Sequence, residues 1–179
     1  GEWETTMIVF LSDHGMPLPF AMTQLYHHST RTPLMVRVPG ITKAGKVDRR
    51  HMVSVVDLLP TVLETLGIDH PARQDGRSFY PALRGEKMEG WDDIIKQYHE
   101  NSGRSRDPMR AIQTKTHLYL FNPWSNGERI FATATNGTVT CKRMIALAEE
   151  DEQMNERLQL YRFRVPEELY QVRKDPDCL

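Results

Sequence analysis

Apolar and polar positions along the 179-residue chain fall into runs of different period. Residues 6–12 are almost continuously apolar and stop abruptly on Asp13-His14-Gly15. A continuous run of β-branched and large apolar residues marks a buried parallel strand, and ligands in open α/β sheets gather at the carboxyl ends of such strands. A second apolar run at 34–38 predicts another strand. After it, Val56, Leu59, Val62, Leu63 and Leu66 recur at near-helical spacing, which predicts a helix with one buried face, closed by Gly67. Ser54 and Asp57 resemble a capping box, but Pro60 favours Asp57 as N-cap. The proline then falls in the first turn, where backbone donors are unpaired anyway.

The second half changes period. Residues 109–113 and 117–121, separated by Thr114-Lys115-Thr116, predict a hairpin. Leu147, Met154, Leu158 and Tyr161 mark one face of a long helix between about 143 and 161, and residues 168–172 predict a closing strand. Residues 122–140, rich in Asn, Gly, Thr and Ser, predict an irregular insertion. The chain thus divides into an α/β piece over 1–90 and a smaller α+β unit over 91–179.

Composition narrows the function classes. Hydrophobic residues at 39% and a net charge of -1 fit neither a disordered tail nor a nucleic-acid binder. The run Arg31, Arg37, Lys43, Lys46, Arg49 and Arg50 is the local candidate for polyanion binding, although a solvated loop face accounts for such a run equally well. No apolar stretch approaches the roughly 20 residues of a membrane span. Cys141 and Cys178 lack metal-site spacing, and Asn136-Gly137-Thr138 matches the glycosylation sequon.

The chemistry concentrates where the first strand ends. A carboxylate beside an imidazole suits a divalent metal, and Gly15 permits the sharp turn that lets Asp13 and His14 face one ion. A polar strand-end turn is the competing reading of these three residues alone.

Longer motifs tip that balance. Ser12-Asp13-His14-Gly15, Leu25-Tyr26, the stretch Thr30 to Gly40, Ser54 to Leu63, Gly76-Arg77-Ser78, Pro81 to Gly85, and Glu168-Leu169-Tyr170 with Asp175-Pro176 follow one another in an order and spacing that resemble the sulfatase family of the alkaline-phosphatase superfamily. Met16-Pro17 to Tyr26 and Pro108 to Gln113 are most similar to its heparan N-sulfatase branch. The resemblance implies the C-terminal part of an alkaline-phosphatase-like sulfatase fold, followed by a small subdomain with an antiparallel sheet and a packed helix. It also implies a sulfuric-ester or sulfamate hydrolase of sulfated sugars or small sulfate esters, with N-sulfoglucosamine as the specific expectation. A periplasmic, secreted or lysosomal setting would go with it. The family's paired aspartates and its Cys/Ser-x-Pro-x-Arg segment, source of the formylglycine nucleophile, do not occur in these residues. The chain therefore reads as a C-terminal portion without its own nucleophile, expected to be inactive by itself.

By the same resemblance Asp13 and His14 match metal ligands, with calcium the expected ion. His27 and His28 are candidates for substrate contact, as are His99 and Glu100 beside the polar loop 101–106. Met22 departs from the pattern: it stands where relatives present a Lys or Arg to the sulfate, and a thioether supplies neither charge nor donor. Three explanations compete: His27, His28 or Arg31 takes over, the protein is a catalytically weakened relative, or the loop is offset in register from the family's. A phosphodiesterase or phosphonate hydrolase of the same superfamily, and a non-catalytic carbohydrate-binding relative, are the alternatives.

Overall fold

In a computed structural model the apolar run at the start of the chain forms strand β1 (Ile8–Leu11), paired with β2 (Leu34–Arg37). The pairing is antiparallel, from Ile8 opposite Arg37 to Leu11 opposite Leu34, and these two strands make a sheet of their own. The expectation of a buried parallel strand is thus corrected. Phe10 and Met35, a cross-strand pair, are both more than half exposed. A continuous apolar run reports that a strand has two apolar faces; it does not report the direction of its neighbour. The description covers residues 1–69, 73–101 and 103–179. His70, and Ser102 within the polar loop 101–106, lie outside the described residues.

The chain forms two compact units: residues 1–11 with 33–94, and residues 12–32 with 95–179. In the first, a 3-10 turn at Val55–Asp57 leads into helix α2 (Leu58–Thr65). Both capping expectations hold in a modified form. Ser54 and Asp57 make the capping box on the 3-10 turn, while Asp57 occupies the N-cap position of α2 with its side chain turned back to Ser54 N at 2.7 Å. The inserted turn places Pro60 within the first turn of α2, where its missing N–H breaks no bond. Gly67 ends the helix at φ 66°, with Ile68 N donating to Leu63 O. The predicted buried face is not buried: Val56, Leu59 and Leu66 are exposed, while Pro60 and Thr61 are covered. A short helix α3 (Tyr80–Arg84) closes on Gly85.

The second unit holds the larger core. Strand β3 (Asp93–Glu100), whose first two residues belong to the first unit, is followed by β4 (Arg106–Thr114) and β5 (Leu118–Phe121), and β6 (Glu167–Tyr170) completes a sheet of order β3-β4-β5-β6. The predicted hairpin is present, with Arg110 opposite Phe121 and Gln113 opposite Leu118. Strand β3 was not foreseen. The predicted long helix is two helices, α4 (Val139–Leu147) and α5 (Glu152–Phe163), interrupted where Asp151 caps α5 through its bond from Met154 N at 2.9 Å. Alternation puts Met109, Ala111, Leu118 and Leu120 on the inner face, against Phe131, Met144, Leu158 and Tyr161. Among the described residues no helix is long and apolar enough to cross a membrane.

Candidate active site

Three short pieces of the segment 12–32 carry candidate chemistry, and all lie in the second unit. Core residues anchor the segment: Phe20, Leu25 and Tyr26 are buried, and a four-residue helix α1 (His27–Thr30) follows Tyr26. Gly15 joins the first piece to the last. Its N–H donates to Ser29 O at 3.1 Å, and a Cβ built on it would fall 2.1 Å from His28 O and 2.3 Å from Ala21 O. Phe20 and Thr23 adopt φ of 64° and 55°, a left-handed conformation costly for such residues and concentrated at functional loops.

At the turn itself, His14 Nδ1 lies 2.7 Å from Gly15 O. A carbonyl can only accept, so Nδ1 carries the proton and the lone pair of neutral His14 is on Nε2. That nitrogen is 3.4 Å from Asp13 Oδ2, and both side chains are open to solvent. One anionic oxygen and one imidazole nitrogen thus form an edge of the size that two ligands of a single divalent ion subtend. Such an edge supplies two of the six to eight donors that calcium takes. Among the described residues no group of three or more His, Cys, Asp or Glu could hold a metal ion, and the Asp13–His14 pair by itself offers two donors.

Behind α1 runs an unbroken polar chain. Lys96 on β3 donates to Gln113 Oε1 on β4 and to Leu25 O at 3.3 Å, and Gln113 Nε2 lies 2.8 Å from His27 Nδ1. Lys96 and Gln113 are both buried; burial pulls the Lys96 ammonium down to about 8. Burial also holds His27 below the usual histidine range, with Arg31, Lys96 and His28 adding to the effect against the Gln113 hydrogen bond. His28 is engaged elsewhere, its Nε2 2.8 Å from Asp177 Oδ1.

A second anchor holds Tyr26. Its hydroxyl donates to Glu168 Oε2 at 2.5 Å and accepts from Arg164 Nη1 at 2.9 Å, and Tyr170 OH and Asn122 Nδ2 complete the set around Glu168. Burial, then the Glu168 carboxylate, pushes the Tyr26 phenol far above its ordinary range, the nearby Arg164 notwithstanding.

His99 and Glu100 lie at the exposed end of β3, where they line a 360 Å³ cavity together with Arg106 and Pro108. Glu100 Oε2 accepts from Arg106 Nε at 3.2 Å, and His99 Nε2 lies 3.3 Å from Gln97 Oε1. The sequence candidates therefore form two groups, Asp13-His14 with His27-His28 through Gly15, and His99-Glu100 in the β3 cavity. Sequence reasoning missed Lys96, Gln113, Arg106 and Asp177. A lysine at an inward position of an alternating strand is the one signal that would have pointed to the first. Cys141 and Cys178 are buried free thiols, and His51 bridges Asp48 Oδ2 and Met88 N in the first unit.

Among solved structures, one described as bound to its substrate D-glucosamine-2-N,6-O-disulfate aligns with TM-score 0.61 and 20% identity over 98% of this chain and 29% of its own. The phosphonate monoester hydrolase of Agrobacterium radiobacter aligns with TM-score 0.63 and 22% identity over 99% and 31%. These likenesses, both under 25% identical, show a shared fold that this chain matches over nearly its whole length. Residues 14–128 match the model of the N-sulphoglucosamine sulphohydrolase C-terminal family, and the chain belongs to that family. Human N-sulphoglucosamine sulphohydrolase is 31% identical over 132 residues, 68% of this chain and 26% of that protein. Human N-acetylglucosamine-6-sulfatase is 35% identical over 115 residues, 60% and 20% respectively. The chain thus spans only 26% and 20% of the length of these two curated relatives.

Proposed function

We propose that this chain contributes the metal-strand loop and the substrate-facing C-terminal subdomain of a sulfatase, a sulfuric-ester or sulfamate hydrolase acting on sulfated sugars, with N-sulfoglucosamine as its substrate. The observation that carries the reading is the Asp13–His14 edge, whose imidazole is committed through Nδ1 to Gly15 O and offers Nε2 beside a carboxylate. Asp13 and His14 would hold a divalent cation, calcium by the family resemblance, and such an ion stabilises negative charge developing on a sulfuryl group. The nucleophile, formylglycine by the same resemblance, is not among residues 1–179.

This chain's own residues would then orient the anion and its sugar. Met22 cannot donate, so His27, His28 or Arg31 would supply the missing contact to the anion. At the β3 cavity, Glu100 and Arg106 neutralise each other while leaving the second carboxylate oxygen and the imidazole of His99 for hydroxyl or amino groups of a sugar. The test is hydrolysis of N-sulfoglucosamine by the sulfatase-length protein, wild type and Asp13→Ala. A loss on the order of a hundredfold or more, with weakened calcium binding by calorimetry, is expected. Activity within about twofold of wild type would reduce Asp13 to a turn residue. The second reading, a phosphonate or phosphate ester hydrolase, draws on the fold likeness to the phosphonate hydrolase, and a phosphonate monoester in the same assay discriminates.

A further inference from the structure

The direction of hydrogen bonding through the Lys96–Gln113–His27 chain is fixed by its first member. Below about pH 8 Lys96 is an ammonium, which has donors and no acceptor. The Gln113 atom facing it must therefore be the carbonyl oxygen, which turns the amide N–H₂ toward His27. An N–H₂ group only donates, so the His27 Nδ1 opposite it must be bare. This assignment rests on the order of groups and is independent of how the amide is drawn. Every bond in the chain then points one way, from Lys96 through the amide to the ring, and each polarises the next.

We propose that Lys96 and Gln113 are positioning residues that lock His27 as the neutral Nε2–H tautomer, a standing hydrogen-bond donor for an anionic oxygen of the substrate. The tautomer follows from the geometry alone; the assignment of its donor to the substrate rests on the sulfatase reading. It also changes how the missing cation at Met22 is compensated. His27 contributes a donor without a charge of its own, and the positive charge sits one amide behind it on Lys96. The groups facing His27 are His28 and Arg31 on its own helix, Gln113 on β4, Lys96 on β3 and the Cys178 thiol, which accepts from the His27 backbone N–H. Among the described residues this set contains no carboxylate, so no anion in it favours a proton on Nδ1.

The tautomer is read directly from the ring nitrogen shifts of ¹⁵N-histidine-labelled chain at pH 7. The expected pattern is an unprotonated Nδ1 and a protonated Nε2 at His27. Gln113→Glu puts a carboxylate against Nδ1 and should place a proton there, raising the pH midpoint of the ring by about one unit or more. Lys96→Met frees the amide to rotate and should give mixed tautomers. A protonated Nδ1 in the wild type, or a His27 pattern unmoved in both variants, would overturn the lock. Sulfate with calcium is then added to the wild type, and the expected response is a shift of His27 Nε2 that is lost on Gln113→Glu. An intact tautomer pattern with no response of Nε2 to saturating sulfate would overturn the donor role and leave the lock standing. Loss of Asp13-dependent hydrolysis as a premise would appear in the assay above and not in this spectrum.

Discussion

The two compact units solve the same problem in different ways. The second gathers its apolar side chains into one cluster, where Met109, Leu118, Leu120, Phe131 and Tyr161 are at most 1% exposed. The first buries Val38, Phe79 and Trp91 but leaves Phe10, Met35 and Leu59 at 56 to 58% exposure. Its order comes from local devices: the Ser54–Asp57 box, the Asp57 bond from Arg77 N at 2.8 Å, and the Arg37 guanidinium stacked 3.9 Å over Trp3. A two-stranded sheet with an open apolar face gains little from the hydrophobic effect. One unit is held by what it excludes from water and the other by local bonds from side chains to the backbone and a cation–π stack.

The sharpest way to break this contrast is at the buried network of the second unit. Glu168→Ala strips Tyr26, Tyr170 and Asn122 of their acceptor and leaves the Arg164 guanidinium buried beside the Tyr26 ring, which should cost about 3 to 5 kcal/mol in chemical denaturation. A cost below about 1 kcal/mol would mean that water reaches Glu168. Next in size, Leu118→Ala should cost about 2 to 5 kcal/mol, whereas Leu59→Ala should stay within about 0.5 kcal/mol. Equal effects in the same chain would erase the difference between the units.

The pH profile sharpens the comparison further. Between about 8 and the ordinary 10.5, the unfolded chain holds a proton on Lys96 that the folded chain has released, so stability rises with pH. Integrated over that window the effect is on the order of 3 kcal/mol. Burial raises the Tyr26 and Tyr170 phenols, so above about pH 10 the unfolded chain ionises first and the trend reverses. Below the usual histidine value the depressed His27 acts in the same sense as Lys96, and stability falls as pH falls. Denaturation midpoints from pH 7 to 10 should rise in the wild type and flatten in Lys96→Met. A flat wild-type profile would contradict the buried ammonium. The smallest effect belongs to the first unit: Asp57→Ala, removing acceptors for Ser54 N and Arg77 N, should cost about 1 to 2 kcal/mol.

What the sequence disclosed divides along the same line. Residues joined by local periodicity were legible: β1, β2, the Ser54–Asp57 cap, the β4–β5 hairpin and the Gly67 stop. The Asp13-His14-Gly15 turn at the end of β1 was legible too, because its residues are adjacent. Strand β3 was hidden because one of its inward positions is Lys96, which reads as surface. The break between α4 and α5 was hidden because Asp151 is one acid among many. The Lys96–Gln113–His27 chain joins residues 17 and 86 positions apart, and Tyr26 meets Glu168 across 142. No period reaches so far, and a polar residue in the core is recognisable only once its partners are known.

Gly15 has a consequence for how this loop can vary. With backbone oxygens closer than any methyl group tolerates on two sides, the position accepts no side chain without parting the turn from α1. Asp13-His14 and His27-His28 are therefore tied to one another sterically through Gly15. Transplanting either half into another scaffold would import a steric debt unless the other came with it, so recombination within this loop should be productive only outside the stretch from Asp13 to Ser29.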